Sequence, residues 1–215
     1  MFFMIEGSLR AADWPMYRHD GSRSGVTSEK LPMPLVQNWS FKPLGAPQPA
    51  WDDPKPEAVE GYLELRRIHF DDCFQPVAAG DAVYFGSSVD NAVYCLDAAT
   101  GQIRWKTMTG GPIRLAPTVS GGKVYVGSDD GCGYCLDAAD GSVVWKFRAA
   151  PEDQRVLGNG RMISLWPIRS SVLVDDGVAY LTAGIFPAEG VFLFALDAAT
   201  GKEIWRNDTC GETSQ

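Results

Sequence analysis

Tyr94-Cys95-Leu96-Asp97-Ala98-Ala99-Thr100-Gly101, closed by Trp105, is a stretch that the chain repeats twice more. Tyr134-Cys135-Leu136-Asp137-Ala138-Ala139-Asp140-Gly141 leads to Trp145, and Phe194-Ala195-Leu196-Asp197-Ala198-Ala199-Thr200-Gly201 leads to Trp205. In each copy Gly follows Asp by four residues and Trp follows Gly by four. Such spacing describes an antiparallel hairpin. The Asp carboxylate is placed to accept hydrogen bonds from backbone N–H groups two or three residues on, as Asx turns do. Gly supplies the positive φ that a type I turn with a bulge requires. Gln102-Ile103-Arg104-Trp105 then alternates polar and apolar, which predicts Ile103 and Trp105 on one face, with the Trp packing back over a turn. The residues singled out are therefore structural: Asp97, Gly101 and Trp105, Asp137, Gly141 and Trp145, and Asp197, Gly201 and Trp205.

The strands around this motif repeat too. Ala82-Val83-Tyr84-Phe85, Lys123-Val124-Tyr125-Val126 and Val178-Ala179-Tyr180-Leu181 are equivalent, and each follows a Gly or Asp turn. Each unit reads as four strands, at 76–79, 82–87, 92–97 and 103–108, then 113–119, 123–128, 132–137 and 143–148, then 168–174, 178–183, 191–197 and 203–207. Trp105 and Trp145 lie 40 residues apart, whereas Trp145 and Trp205 lie 60 apart. Extra loop is therefore expected between Pro151 and Trp166 and around Phe186 to Gly190. A four-stranded unit of about 40 residues is the sequence signature of a β-propeller blade. The expected fold is all-β, a partial propeller of about three blades at 76–108, 113–148 and 168–207.

Composition agrees with a turn-rich β protein: the 215 residues include 23 Gly, 14 Pro and 11% aromatics. With 19 Lys and Arg against 27 Asp and Glu, the net charge is −8. An acidic chain without a basic run disfavours nucleic acid and anionic lipid. No stretch approaches the ~20 apolar residues of a membrane span. Of the five cysteines, Cys132 and Cys135 form a close pair, but no second pair stands at zinc-ribbon spacing and Leu136 follows where a haem motif needs His. Cys95, Cys135 and Ala195 share one repeat position, a small buried slot, so packing thiols are expected, with Cys132 and Cys135 on opposite faces.

Residues 1–12 resemble the remnant of a secretory signal, without its basic start or a full apolar run. Residues 13–42 form an N-terminal arm, whose aromatics Trp14 and Tyr17 flank Pro15 as if lying on an apolar surface. Its end, Leu35 to Phe41, resembles the Trp-bearing last strand of a blade that lacks its first part. Residues 43–75 are a Pro-rich insertion in which Glu57 to Phe70 fits either a short helix or an irregular hairpin. Blades occupy 76–215.

The motif resembles the PQQ-like propeller repeats of bacterial quinoproteins and their non-enzymatic relatives. Ala195, Asp197, Gly201 and Trp205 match the family's tryptophan-docking pattern without a gap, and the other two copies match with Cys for Ala. Asp13-Trp14-Pro15-Met16-Tyr17-Arg18-His19-Asp20 also resembles the start of secreted members. The resemblance implies that each Trp packs on the neighbouring blade, within a ring that usually has eight. It also implies PQQ, calcium, a catalytic Asp and often adjacent cysteines in the enzymes.

No position here maps onto those catalytic or metal-binding residues, and no adjacent cysteine pair is present. Asp129-Asp130 and Asp71-Asp72 read as solvated turn caps, and His19 and His69 are far apart in sequence. Gly158-Asn159-Gly160 lacks the third glycine of a dinucleotide loop. No catalytic, cofactor-binding or metal-ligating residue is therefore expected. The expected function is a non-catalytic propeller segment of the secreted branch, similar to the propeller lipoprotein of outer-membrane protein assembly. It would act as a binding or scaffolding module in the periplasm or outside the cell. Protein partners and self-association through open propeller ends are expected. The alternative is the N-terminal part of a PQQ-dependent dehydrogenase, which would bring PQQ and calcium as cofactors.

Overall fold

The computed structural model describes residues 12–31, 33–51 and 73–210, together with the backbone of 57–59 and 62–64. Strands β1 (Glu57–Val59) and β2 (Tyr62–Glu64) pair as an antiparallel hairpin, which settles that stretch of the insertion as strand; residues 65–72 lie outside the described residues. The first blade is β3 (Val77–Ala79), β4 (Ala82–Ser87), β5 (Ala92–Asp97) and β6 (Ile103–Met108). The second is β7 (Thr118–Ser120), β8 (Lys123–Gly127), β9 (Cys132–Asp137) and β10 (Val143–Arg148). A hairpin of β11 (Arg155–Gly158) and β12 (Arg161–Ser164) precedes the third blade, β13 (Leu173–Asp175), β14 (Val178–Ala183), β15 (Phe192–Asp197) and β16 (Glu203–Asn207). Within each blade the strands pair antiparallel in chain order. The chain is a partial β-propeller.

The extra residues fall where the Trp spacing put them. The β11–β12 hairpin fills 155–164, turning on Asn159 and Gly160 with positive φ, and a single 3-10 turn covers Pro187–Glu189. The innermost strands are shorter than the pattern suggested. β7 begins at Thr118, after Pro117, and β13 at Leu173, because the residues before them lie against the preceding blade, where Ile113 N and Ile168 N donate to Ser87 O and Ser128 O at 3.3 and 3.1 Å. Ile113 and Ile168 serve instead as plugs: a Cβ on Gly86 or Gly127 would lie 2.1 or 2.2 Å from the Ile Cγ2.

Strand β7 touches both β3 and β13, so the first strands of the three blades stand side by side. The N-terminal arm crosses them. Trp14 bridges Ala78 through backbone bonds of 2.7 and 2.9 Å, and Val119 N donates to Pro15 O at 2.7 Å. Gly21 lies against Leu173.

Because sheets are apolar on both faces, the core lies between blades. Tyr84, Cys95 and Trp105 of the first blade meet Val124, Val126 and Leu136 of the second. Tyr125, Cys135 and Trp145 meet Leu181, Phe194 and Leu196 of the third. The outer face of the first blade, with Phe85, Tyr94 and Leu96, is covered by Trp39, Phe41 and Phe74. This end of the propeller, expected to be open, is thus covered. Residues 34–43 contain no strand, since a lone segment between Pro34 and Pro43 has no preceding strand to pair with, yet they close the blade.

Candidate functional site

The repeated motif builds the joints between blades. Asp97 Oδ1 accepts from Ala99 N, Thr100 N and Thr100 Oγ1 at 2.9–3.0 Å, and Gly101 N donates to Asp97 O at 2.8 Å. Asp137 and Asp197 hold the same turn, and Gly101, Gly141 and Gly201 have φ of 70–74°. The next residue but two is bulged: Leu96 pairs with Ile103 while Cys95 pairs with Trp105, leaving Arg104 unmatched. Ile103 and Trp105 therefore sit on opposite faces. Ile103 is 50% exposed and Trp105 7%, which corrects the simple alternation.

Trp105 Nε1 donates to Ala138 O at 3.0 Å and its ring lies where a Cβ on Gly141 would be, 2.5 Å from Cε3. Trp145 repeats this on Ala198 O, at 2.9 Å, and Gly201. Tyr84 and Tyr125 hydroxyls add second bonds to the same two carbonyls, a partner that the Trp spacing alone did not signal. Trp39 docks on Ala98 O, at 2.8 Å, and Gly101. Trp205 is 43% exposed and has no following turn to dock on among the described residues. The packing of each Trp on a neighbouring blade, which the resemblance implies, is for that reason not seen at Trp205.

Cys95, Cys132 and Cys135 are buried free thiols; burial pushes Cys132 and Cys135 up to about 11. Cys132 packs between the first two blades and Cys135 between the last two, on opposite faces of β9.

At the end of the blades where the β4–β5 and β8–β9 turns meet the connections into β7 and β13, charge is buried. Asp129 and Asp130 are 1% and 4% exposed, not solvated caps; Asp71 and Asp72 lie outside the described residues, as does His69. Arg114 Nε reaches Asp129 Oδ2 at 2.7 Å, and Arg169 Nε and Nη2 reach its two oxygens at 3.0 and 3.1 Å. Arg169 also lies over the Trp51 ring, 4.6 Å from its centroid.

Asp130 accepts from the Tyr134 hydroxyl and from Cys132 N, with Lys146 Nζ at 3.5 Å and 4.9 Å from the Tyr134 ring. Burial pushes the Tyr134 hydroxyl up to about 12. The first blade repeats the arrangement, with Asp90 accepting from Tyr94 and paired to Lys106 at 2.7 Å. In the third blade Phe194 and Arg206 occupy the Tyr and Lys positions, so the trio stops there. No spacing rule at the sequence level marked these trios, because each joins a turn to two strands.

The insertions lock over this end. Arg161 donates to Asn91 Oδ1 and Val89 O at 2.8 and 2.7 Å, Asn159 Nδ2 to Pro49 O at 2.9 Å, and Gln48 N to Ser88 Oγ at 2.8 Å. Beside the innermost strands a cleft of about 340 Å³ is lined by Tyr17, Arg23, Gln75, Leu115, Arg169 and Ser171 among others.

Among the described residues no three His, Cys, Asp or Glu side chains are grouped to hold a metal. The donors at the cleft do not fit calcium: its charged side chains are Arg23 and Arg169, and the carboxylate behind them, Asp129, is already neutralised by Arg169 and Arg114. Nor is any helix among the described residues long and apolar enough to cross a membrane.

A family model described as outer membrane protein assembly factor BamB matches residues 39–215. No curated protein matches the chain. Among solved structures, a quinohemoprotein alcohol dehydrogenase from Comamonas testosteroni aligns over 91% of this chain with a TM-score of 0.60 and 22% identity. A europium-containing methanol dehydrogenase aligns over 91% at 0.56 and 16%. The quinohemoprotein alcohol dehydrogenase ADHIIG from Pseudomonas putida HK5 aligns over 62% at 0.52 and 26%. The matches cover only 27%, 32% and 20% of those three chains, so this chain spans less than a third of their length.

Proposed function

This chain belongs to the family described as outer membrane protein assembly factor BamB, and on that premise we propose that it is a non-catalytic propeller segment of the cell envelope. It serves as a binding or scaffolding module for other proteins, in the periplasm or outside the cell. One observation supports this above the rest: the acidic side chains Asp90, Asp129 and Asp130 at the loop-rich end are already paired within the chain. Asp129 is held by two arginines, and Asp130 and Asp90 each by a Tyr and a Lys. Arg114 and Arg169 also reach Gln48 O and the Trp51 ring of the Pro-rich insertion, and Asp130 and Asp90 tie turns to their own blades, so this end offers a rigid surface, which is what a binding module requires.

The 26% identity to the Pseudomonas putida enzyme supports a second reading, part of a PQQ-dependent dehydrogenase. One titration separates the two. The purified chain receives PQQ and calcium while quinone absorbance and dye-linked alcohol oxidation are followed. No saturable binding and no turnover are expected; saturable micromolar binding with turnover would favour the dehydrogenase.

A further inference from the structure

Three segments outside the four-stranded repeat meet at one place. Ala50 and Trp51 of the Pro-rich loop, strand β11 with Ile163 of its hairpin, and Ile185 and Phe186 between β14 and β15 enclose a cavity of about 240 Å³. Its lining contains no charged side chain. One wall is stiff, because Trp51 is braced by the Arg169 guanidinium and meets Phe186 edge-on with ring centroids 6.1 Å apart. Phe186 is nevertheless 48% exposed at the mouth. Repeats supply the frame in such proteins, and insertions on one face commonly carry the binding.

The strand beside this cavity is itself unfinished. β11 pairs with β12 along one edge. Among the described residues its other edge makes no backbone hydrogen bond. A bare strand edge is a template for another strand. Val156, Leu157 and Gly158 of β11 all line the cavity, so a strand added to the free edge runs alongside its mouth and turns alternate side chains toward it.

We propose that β11 and this cavity form a binding site for an extended peptide, which adds as a strand to β11 and seats one uncharged aromatic side chain in the cavity. Backbone pairing supplies affinity and the pocket supplies selectivity in this mode of recognition. An apolar cavity of about 150 Å³ accepts benzene, so the larger space here accommodates a phenyl or indole group. A charged side chain would lose its water without gaining a partner. The proposal rests on the binding-module function and names its ligand class.

The test is calorimetric titration of the whole chain with the blocked peptide acetyl-Ser-Thr-Phe-Thr-Ser-amide. Saturable binding is expected, with affinity falling about tenfold or more, some 1.4 kcal/mol, when Phe is replaced by Ala or when the peptide amides are N-methylated. Phe186→Asp is expected to weaken binding to a similar degree, with an unchanged unfolding midpoint. Equal affinity for the Phe and Ala peptides, or no binding up to the solubility limit, overturns the site. Equal affinity for the N-methylated peptide overturns strand addition. The peptide comparisons use the unaltered chain, so they decide the matter even if the variant misfolds. Silence toward every peptide without PQQ turnover removes this site alone, whereas PQQ turnover removes the module function whatever the peptides do.

Discussion

At Asp129 two guanidinium groups converge on one carboxylate whose side chain is 1% exposed, with Arg114 at 4% and Arg169 at 12%. Removing one partner of a buried ion pair costs far more than the pair contributes, because the other charge stays buried. Asp129→Asn is expected to lower stability by about 3–5 kcal/mol in urea unfolding, whereas Asp153→Asn, at an exposed pair, should cost less than about 1 kcal/mol. The tryptophans divide by the same logic of burial. Trp145→Ala is expected to cost roughly 3–5 kcal/mol, and Trp205→Ala, half-exposed, less than about 1 kcal/mol. Equal losses would mean that docking on the next blade contributes nothing. For the thiols, a native chain at pH 8 should react with a disulfide reagent only at exposed Cys73 and Cys210, and at all five cysteines once denatured. Acid stability has a sign that follows from Asp97. The Arg104 guanidinium, then Thr100, hold its carboxyl at about 2, below the ordinary 3.8. The folded chain therefore binds this proton less readily than the unfolded chain, so the contribution is fully present above about pH 4 and lost as pH falls through about 2. Asp97→Asn should separate from the parent above that window and converge with it below.

A turn is the element on which each joint depends, and two glycines with similar backbones isolate what the joint adds. Gly121 and Gly141 both have positive φ, 55° and 74°. A Cβ on Gly121 meets nothing within 4 Å, while one on Gly141 falls 2.5 Å from the Trp105 ring. Gly121→Ala should cost about 1–2 kcal/mol for its left-handed backbone alone. Gly141→Ala should exceed that clearly and also raise the exposure of Trp105, read as a red shift of its fluorescence. This element was legible from the chain because its turn chemistry is local, with Asp and Gly four residues apart in every copy, whereas the Trp of one copy docks on the turn of the next. Its bulge was less so. One unmatched residue at Arg104 reverses the face of Ile103, and alternation cannot show where a ladder slips.

As a whole the molecule has one finished and one unfinished side. Trp39, Phe41 and Phe74 cover the first blade, but the far face of the third presents half-exposed Trp205 beside Tyr180, their ring centroids 6.2 Å apart. An exposed apolar sheet face favours association. Sedimentation should show concentration-dependent dimers of this chain, and Trp205→Lys should shift them to monomer; a strictly monomeric parent would show that this face is harmless in solution.

The residues alone determined the blade, its period and the Trp that joins it to the next, because a propeller repeats one contiguous hairpin pattern and each copy carries its own turn chemistry. They placed the extra loop before the third blade and within it, around Phe186 to Gly190, for the same reason, as a gap in a regular count. Only the tertiary structure decided what Trp39 does without a strand of its own, why Asp129 and Asp130 are buried, and where Trp51, Val156 and Phe186 meet. Those contacts join segments separated by 15 to more than 100 positions, and they exist because three sheets standing around one axis bring the same end of every blade together.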